Sequence, residues 1–135
     1  MYSSFLKIAL ILGIVHPTPM LALHHPHKSG FDSRIRYTPY NAHDVVQLNT
    51  TIGIVTHIVL EDGEQYLTHA FGDGEAYAFM VKKNHLFLKP KGENADTNLV
   101  VVTDRRSYHF RLIFQLLMQA ASVYQLVFTS ELSNF

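Results

Sequence analysis

The amino-acid sequence predicts an all-β protein, an antiparallel β-sandwich of about nine short strands preceded by a signal peptide. Three observations lead to this prediction. Most of the chain after Arg34 alternates apolar and polar residues with a period of two. Turn signals containing Gly and Asp interrupt these segments, as at 61–63 (EDG) and 72–74 (GDG). The hydrophobic content of 47% supplies a packed core for a single domain in a chain of 135 residues.

The first part of the chain, residues 1–22, has the order of parts of a secretory signal peptide. Lys7 is the only charge before an apolar run, Ile8–Val15. As a helix this run rises about 12 Å, far less than the roughly 30 Å of a bilayer's hydrocarbon core. Pro17 and Pro19 then end it abruptly. We place cleavage after Ala22, and the alternative is an N-terminal core helix.

The remaining chain divides into a flexible leader (23–33), an N-terminal β-sandwich domain (34–129) and a short tail (130–135). The leader shows no periodicity. The predicted strands of the domain are, in order, 34–37, 45–48, 51–60, 66–71, 76–81, 85–89, 98–103, 107–114 and 124–128. The turn at 61–63 predicts that the third and fourth of these strands pair as a hairpin. A short turn at 82–84 separates the strands 76–81 and 85–89.

Residues 112–122 break the alternation, because the segment LIFQLLMQAAS is apolar and contains no turn residue. Leu, Met, Gln and Ala favour helix. The segment therefore predicts either a short helix or an apolar hairpin.

Composition excludes several classes of function. The chain has no Cys, which excludes disulfides, thiolate metal sites and cysteine catalysis. Lys+Arg and Asp+Glu both total 11, so no net charge attracts nucleic acid or anionic lipid. We therefore expect no direct nucleic-acid binding.

Histidines are the residues most suggestive of chemistry, since the chain has nine. Five of them are scattered singly through predicted strands and a loop: His43, His57, His69, His85 and His109. Isolated strand histidines are typically half-exposed sheet residues. A hydrolase built from His57, His69 or His109 with a carboxylate is the weakest hypothesis, because no spacing requires it. We predict no catalytic residues, no cofactor and no enzyme activity.

A histidine-rich stretch in the leader is a candidate metal site, which is the one alternative to the prediction that the chain binds no metal. If cleavage follows Ala22, His25 becomes the third residue of the mature protein. A free amine, two amides and a third-position imidazole can form a square-planar Cu(II) or Ni(II) site. The preferred interpretation of His24, His25 and His27 is a solvated leader. The alternative is an autonomous periplasmic binding domain that loads Cu or Ni through these histidines.

Nine blocks of sequence, taken in order, resemble one known family. They are Ser33–Asn41, Asp44–Val46, Gly63–Leu67, Phe71–Asp73, Ala76–Phe79, Asn84–Pro90, Ala95–Leu99, Val102–Tyr108 and Phe110–Leu112. In order and spacing these blocks resemble the periplasmic ninth VirB subunit of type IV secretion and conjugation systems, the TrbG/CagX-type family. The most specific blocks are the Lys-Pro and Thr-Asn stretch and the Thr-x-x-Arg-x-Tyr stretch.

The resemblance implies a non-catalytic structural subunit of the type IV secretion core complex, supporting transfer of conjugative DNA or effector proteins. It implies a location in the periplasm, associated with the outer-membrane core complex. The implied partners are the channel-forming, inner-membrane-anchored subunit and copies of the chain itself in a ring. The family normally continues into a second β-domain that meets an outer-membrane lipoprotein. Because this sequence stops at Phe135, the resemblance leaves the lipoprotein contact in doubt. The alternatives for the chain are a degenerate remnant, a truncated paralogue, or a short version that serves only the inner layer of the ring.

Strand ends and loops are where such a domain is expected to meet partners. The residues predicted for this interface are Lys89, Pro90, Asn98, Thr103, Arg105 and Arg106. Tyr108 is predicted to face the core instead, because it alternates with Phe110 and Leu112.

Overall fold

The computed structural model describes residues 23–28, 30–116 and 122–130. In these ranges the chain forms eleven strands. They are β1 Leu23–His24, β2 His27–Lys28, β3 Ile35–Pro39, β4 Val45–Thr51, β5 Thr56–Val59, β6 Tyr66–Phe71, β7 Tyr77–Lys82, β8 His85–Pro90, β9 Thr97–Thr103, β10 Ser107–Gln115 and β11 Gln125–Thr129. A search of the same residues finds no helix that is long and apolar enough to cross a membrane.

The strands form two sheets packed face to face. The five-stranded sheet has the order β1-β4-β10-β9-β6, and the six-stranded sheet has the order β2-β3-β11-β5-β8-β7. Apart from the two-residue strands β1 and β2, this leaves nine longer strands, β3 to β11. The predicted all-β sandwich is confirmed. The predicted signal peptide lies outside the described residues, as does most of the predicted tail.

Alternating side chains of both sheets fill the space between them. Leu48 and Phe110 from one sheet and Leu126 from the other are each 1% exposed or less. The rings of Tyr108 and Phe128 meet edge to face across the interface, with their centroids 4.7 Å apart. The core thus consists of the residues at alternate strand positions, as the period-two pattern requires. The prediction that Tyr108 faces the core is confirmed.

The strand pairing is mixed, whereas the sequence predicted antiparallel sheets. β10 pairs in parallel with β4, and β11 pairs in parallel with both β3 and β5. The pairs β10·β9, β5·β8, β6·β9 and β7·β8 are antiparallel. Turn signals identify only strands that follow each other closely in the chain. The parallel pairs join strands far apart in sequence, so no local signal reports them.

The predicted hairpin around the turn at 61–63 is wrong, whereas the turn predicted at 82–84 is present and joins β7 to β8 as a hairpin. β5 pairs with β8 and β11, while β6 pairs with β9 in the other sheet. Gly63 has a φ of +80°, which glycine adopts without strain. At this turn the chain passes from β5 in the six-stranded sheet to β6 in the five-stranded sheet. The turn therefore does not pair the two strands that flank it.

Part of the segment predicted as a flexible leader forms strand pairs. Leu23 and His24 pair with Val45 and Val46 of β4. β2 pairs with β3 in the opposite sheet. Residues 23–28 therefore contact both sheets at one side of the sandwich, and Pro26 between the two short strands is buried.

The apolar segment 112–122 starts as strand rather than helix. β10 continues through Gln115, and Leu112 and Phe114 lie opposite Leu48 and Thr50 of β4. The ladder with β4 outweighs the weak helix propensity of this sequence, as tertiary context commonly does. Residues 117–121 lie outside the described residues.

The turn between β7 and β8 contains a strained residue, Lys83. Its φ of 57° lies in the left-handed region, which costs a residue with a Cβ about 1 kcal/mol. We expect Lys83→Gly to raise the free energy of unfolding by about 1 kcal/mol in urea denaturation. Lys82→Gly, one residue earlier inside β7, serves as the control and should lower stability. Equal stability losses in the two variants would contradict this account.

Candidate partner interface

Three of the six predicted interface residues lie on different faces of the sandwich. Lys89 is exposed on the outer face of the six-stranded sheet, and the adjacent Pro90 is buried. Asn98 is exposed on the outer face of the five-stranded sheet. The Pro90 side chain therefore belongs to the interior and has no surface to offer a partner. Lys89 and Asn98 do not share one contact surface.

The other three residues lie together where β9 turns into β10. Thr103 is only 4% exposed. Arg106 is half-buried, and Arg105 is exposed with its Nη1 3.4 Å from the backbone oxygen of Asp62. Thr103 thus serves the interior of the domain, contrary to its predicted place at the surface. A partner-binding role for Lys89, Asn98 and Arg105 stays a prediction.

A buried carboxylate explains what Thr103 and Arg106 do. Glu64 is 2% exposed. The Thr103 hydroxyl donates a hydrogen bond of 2.5 Å to one of its oxygens, and the Tyr108 hydroxyl donates one of 2.6 Å to the other. Arg106 Nε lies 3.7 Å from the carboxylate. We call Glu64, Thr103, Arg106 and Tyr108 the Glu64 cluster.

The Glu64 cluster joins three separate parts of the chain. Glu64 lies in the loop after β5, Thr103 ends β9, and Tyr108 belongs to β10. A charged carboxylate is costly to bury unless it is paired and hydrogen-bonded. Both carboxylate oxygens have a donor, so the cluster meets that requirement and holds the three segments in one arrangement.

Arg106 also contacts residues outside the cluster. Its guanidinium forms an ion pair with Glu61 at 3.2 Å and lies over the ring of Tyr40, 4.5 Å from the centroid. Burial disfavours its charge, but Tyr108, Glu61 and Glu64 outweigh burial and raise the pKa of Arg106. These contacts engage the guanidinium within the domain, which leaves it poorly placed to bind a partner's phosphate or carboxylate.

Tyr108 is the neutral donor of the cluster. Burial, together with the hydrogen bond to Glu64, raises the pKa of its hydroxyl above the ordinary value of 10.0. Because the folded state holds this proton more tightly, the resulting stabilisation is complete below the unfolded pKa and is lost at higher pH. The Tyr108 hydroxyl therefore keeps its proton throughout the neutral range.

Glu64 was not among the functional residues predicted from the sequence, in which it directly follows the turn at 61–63. The sequence pattern that could have indicated a buried carboxylate is the spacing Thr103-x-x-Arg106-x-Tyr108. Three polar side chains at the junction of two apolar strands require a polar partner, because buried hydroxyls and guanidinium groups are hydrogen-bonded. Which carboxylate supplies that partner depends on the tertiary fold.

Two histidines that are distant in sequence meet on the six-stranded sheet. His57 Nε2 lies 2.9 Å from His85 Nδ1, and the ring of His57 stacks on Phe87 with centroids 4.5 Å apart. The second nitrogen of His57 lies 3.2 Å from the amide of Gln125. His69 is hydrogen-bonded to the Tyr66 hydroxyl at 2.6 Å. Within the described ranges, the hydrogen-bond partners of His57 and His69 are thus His85, Gln125 and Tyr66, none of which is a carboxylate.

The histidine pair predicts a dependence of stability on pH. Burial, together with the neighbouring His85, lowers the pKa of His57 below 6.5. The unfolded chain then binds the proton more readily, so this contribution to stability is complete above about pH 6.5 and is lost as the pH falls. We expect the melting temperature to fall in acid, and to fall less in His57→Gln.

The matched control is His109→Gln, since His109 is exposed on the other sheet. This variant should keep the full acid dependence. His69, whose pKa burial also lowers, and Asp32, whose pKa the hydrogen bonds from Arg34 lower to about 2, also contribute acid dependence that should remain in His57→Gln. Identical melting profiles for the two variants from pH 7 downward would show that His57 is not the group responsible.

The leader histidines have neighbours in the fold. His24 Nε2 lies 2.7 Å from the Thr38 hydroxyl, and the His24 and His27 rings lie edge to face at 6.2 Å. His25 is exposed. In the described part of the chain, no group of three or more potential ligands is arranged to hold a metal ion. The Cu or Ni alternative also needs the free amine left by cleavage after Ala22, which lies outside the described residues, so it stays a prediction.

The chain is similar in sequence to secretion proteins over the nine longer strands of the β-sandwich. Residues 33–132 match the family described as CagX, conjugal transfer protein. The type IV secretion system protein virB9 of Brucella abortus is 35% identical over 121 residues, covering 78% of this chain and 42% of that protein. The type IV secretion system protein PtlF of Bordetella pertussis is 31% identical over 118 residues, covering 72% and 43%. The chain thus spans about two fifths of the length of these curated relatives.

Proposed function

Because this chain belongs to the CagX family of conjugal transfer proteins, we propose that it is a non-catalytic structural subunit of a type IV secretion core complex. In this role it supports the passage of conjugative DNA or effector proteins across the envelope. The observation that carries the proposal is the extent of the match. Residues 33–132 contain all nine longer strands of the sandwich, so the similarity covers a complete folding unit rather than one motif.

The chemistry of the domain supports a scaffold. One of the most specific blocks of the resemblance, Thr103 to Tyr108, holds Glu64 and joins three segments of the chain. A rigid domain of this kind suits a subunit whose work is to present fixed surfaces to its neighbours. We propose that the location is the periplasm, within the outer-membrane core complex. The proposed partners are the channel-forming, inner-membrane-anchored subunit and further copies of the chain in a ring.

Gentle purification of the tagged protein from the envelope of its own host, followed by native mass spectrometry, tests the proposal. The expected result is a large oligomer that contains both this chain and the channel-forming subunit. The control is a tagged Glu64→Ala variant, in which a weakened fold should lower recovery of the oligomer. A stable monomer without companions would overturn the proposed structural role.

A further inference from the structure

We propose that β7 is a docking edge to which an extended, acidic segment of a partner protein adds as a further strand. β7 is the last strand of the six-stranded sheet, and no strand of the described residues lies beyond it. The inference rests on the proposed function only in expecting a protein partner. It names a surface that the sequence analysis did not select.

Half of the backbone N–H and C=O groups of β7 point away from β8. Lys91 N–H donates to the Ala76 carbonyl at 2.9 Å, and the register pairs Lys82 with His85 across the turn. In an antiparallel pair such bonded positions alternate, so even-numbered residues of β7 bond to β8. The N–H and C=O groups of Tyr77, Phe79 and Val81 therefore point away from β8, toward the position of an added strand.

The edge strand β6 of the five-stranded sheet is less suited to strand addition. Its register with β9 is irregular between Tyr66 and Thr68, as it is at a β-bulge. Bulges at an edge twist the backbone away and discourage pairing with another chain. β7 pairs with β8 in unbroken register along its whole length and contains no proline. Of these two edges, β7 is the regular template.

Apolar side chains beside β7 remain partly open to solvent. The Phe79 ring lies 4.1 Å from the His69 ring and 5.6 Å from Phe71, measured between centroids, and all three are half-buried. Met80, on the opposite face of β7, is 62% exposed. A strand added at this edge would cover apolar surface on both faces, which favours a partner with apolar residues at alternate positions.

The positive charge of the β7–β8 hairpin indicates which side chains a partner strand should carry. Residues 77–91 contain four of the chain's six lysines and no acidic residue. The lysines are Lys82, Lys83, Lys89 and Lys91. One of them, Lys91, lies 3.9 Å from Glu75. Since like charges on neighbouring strands repel, a second copy of β7 is a poor partner, and acidic side chains on the added strand are favoured.

The test uses a phage-displayed library of random peptides, selected on the purified protein with counter-selection against Val81→Pro. Proline removes the outward N–H of Val81 without removing a bond to β8. Val81→Thr keeps that N–H and is the matched control. We expect enriched peptides to alternate apolar and acidic residues, and to slow amide exchange at Tyr77, Phe79 and Val81. Val81→Pro should bind a selected peptide about tenfold more weakly than Val81→Thr.

A charge exchange provides a second test that does not depend on how proline is tolerated. Lys82→Glu should weaken binding of an acidic peptide, and replacing the peptide's facing acidic residue by Lys should restore it. Failure to enrich any peptide, protection of amides away from β7, or equal binding by Val81→Pro and Val81→Thr would each overturn the proposal.

The result can be separated from that of the native mass spectrometry. If the chain joins a large oligomer but no peptide adds to β7, the structural role stands and β7 is not its contact. If peptides add to β7 but the chain is recovered as a monomer, the docking edge stands and the role in the core complex fails.

Discussion

Glu64→Ala is expected to lower the free energy of unfolding by about 3 kcal/mol. The substitution leaves the hydroxyls of Thr103 and Tyr108 without their acceptor and removes one of the two carboxylates that pair with Arg106. Buried polar groups that lose a partner are destabilising because water cannot reach them. Urea denaturation, followed by circular dichroism, measures the change.

The control for this prediction is Glu93→Ala, because Glu93 is exposed. It should change stability by no more than about 0.5 kcal/mol. Tyr108→Phe removes one donor of the same cluster, so its effect should be less than additive with that of Glu64→Ala. A loss below about 1 kcal/mol for Glu64→Ala, or additive effects in the double variant, would show that the cluster does not hold the three segments together.

A chain that ends at Ser122 is expected to lose cooperative folding, because it lacks β11. This strand lies in the interior of the six-stranded sheet, between β3 and β5. Leu126 is fully buried and Phe128 is 5% exposed. Burial of two such side chains contributes about 3–6 kcal/mol, and the loss of both flanking ladders adds to this, against a typical total stability of about 5–15 kcal/mol.

The matched control ends at Ser130 and keeps β11. Near-ultraviolet circular dichroism of the six tyrosines that both chains contain distinguishes a packed core from a collapsed chain. The control should show a cooperative thermal transition that the shorter chain lacks. If the shorter chain aggregates, Leu126→Ala tests the same strand in the full chain, with an expected loss of about 3 kcal/mol. Cooperative unfolding of the chain ending at Ser122 would contradict the observed strand order.

The strands themselves could be predicted because side chains alternate along a strand and the sandwich buries one face of each sheet. The alternation of Tyr108, Phe110 and Leu112 predicted their burial, and all three are at most 2% exposed. The β7–β8 hairpin could also be predicted from the sequence, because strands joined by a two-residue turn commonly pair with each other. These are local properties, determined by a few consecutive residues.

Predicting the site was harder because its members are brought together from distant positions. Glu64 and Tyr108 are separated by 44 residues, and His57 and His85 by 28. No periodicity links such residues. The contacts of Thr103 and Arg106 with a buried carboxylate could not be predicted, because a polar side chain at a strand end has the same sequence pattern whether it faces a partner or a buried carboxylate.

The sequence by itself therefore determined the all-β class, the approximate positions of the strands and the family to which the chain belongs. Only the tertiary structure decided that β5 and β6 lie in different sheets, that β11 inserts in parallel between β3 and β5, and that Glu64 is buried. The physical reason is that alternation specifies which face of a strand is buried but not which strand lies beside it. That choice depends on packing between segments far apart in the chain.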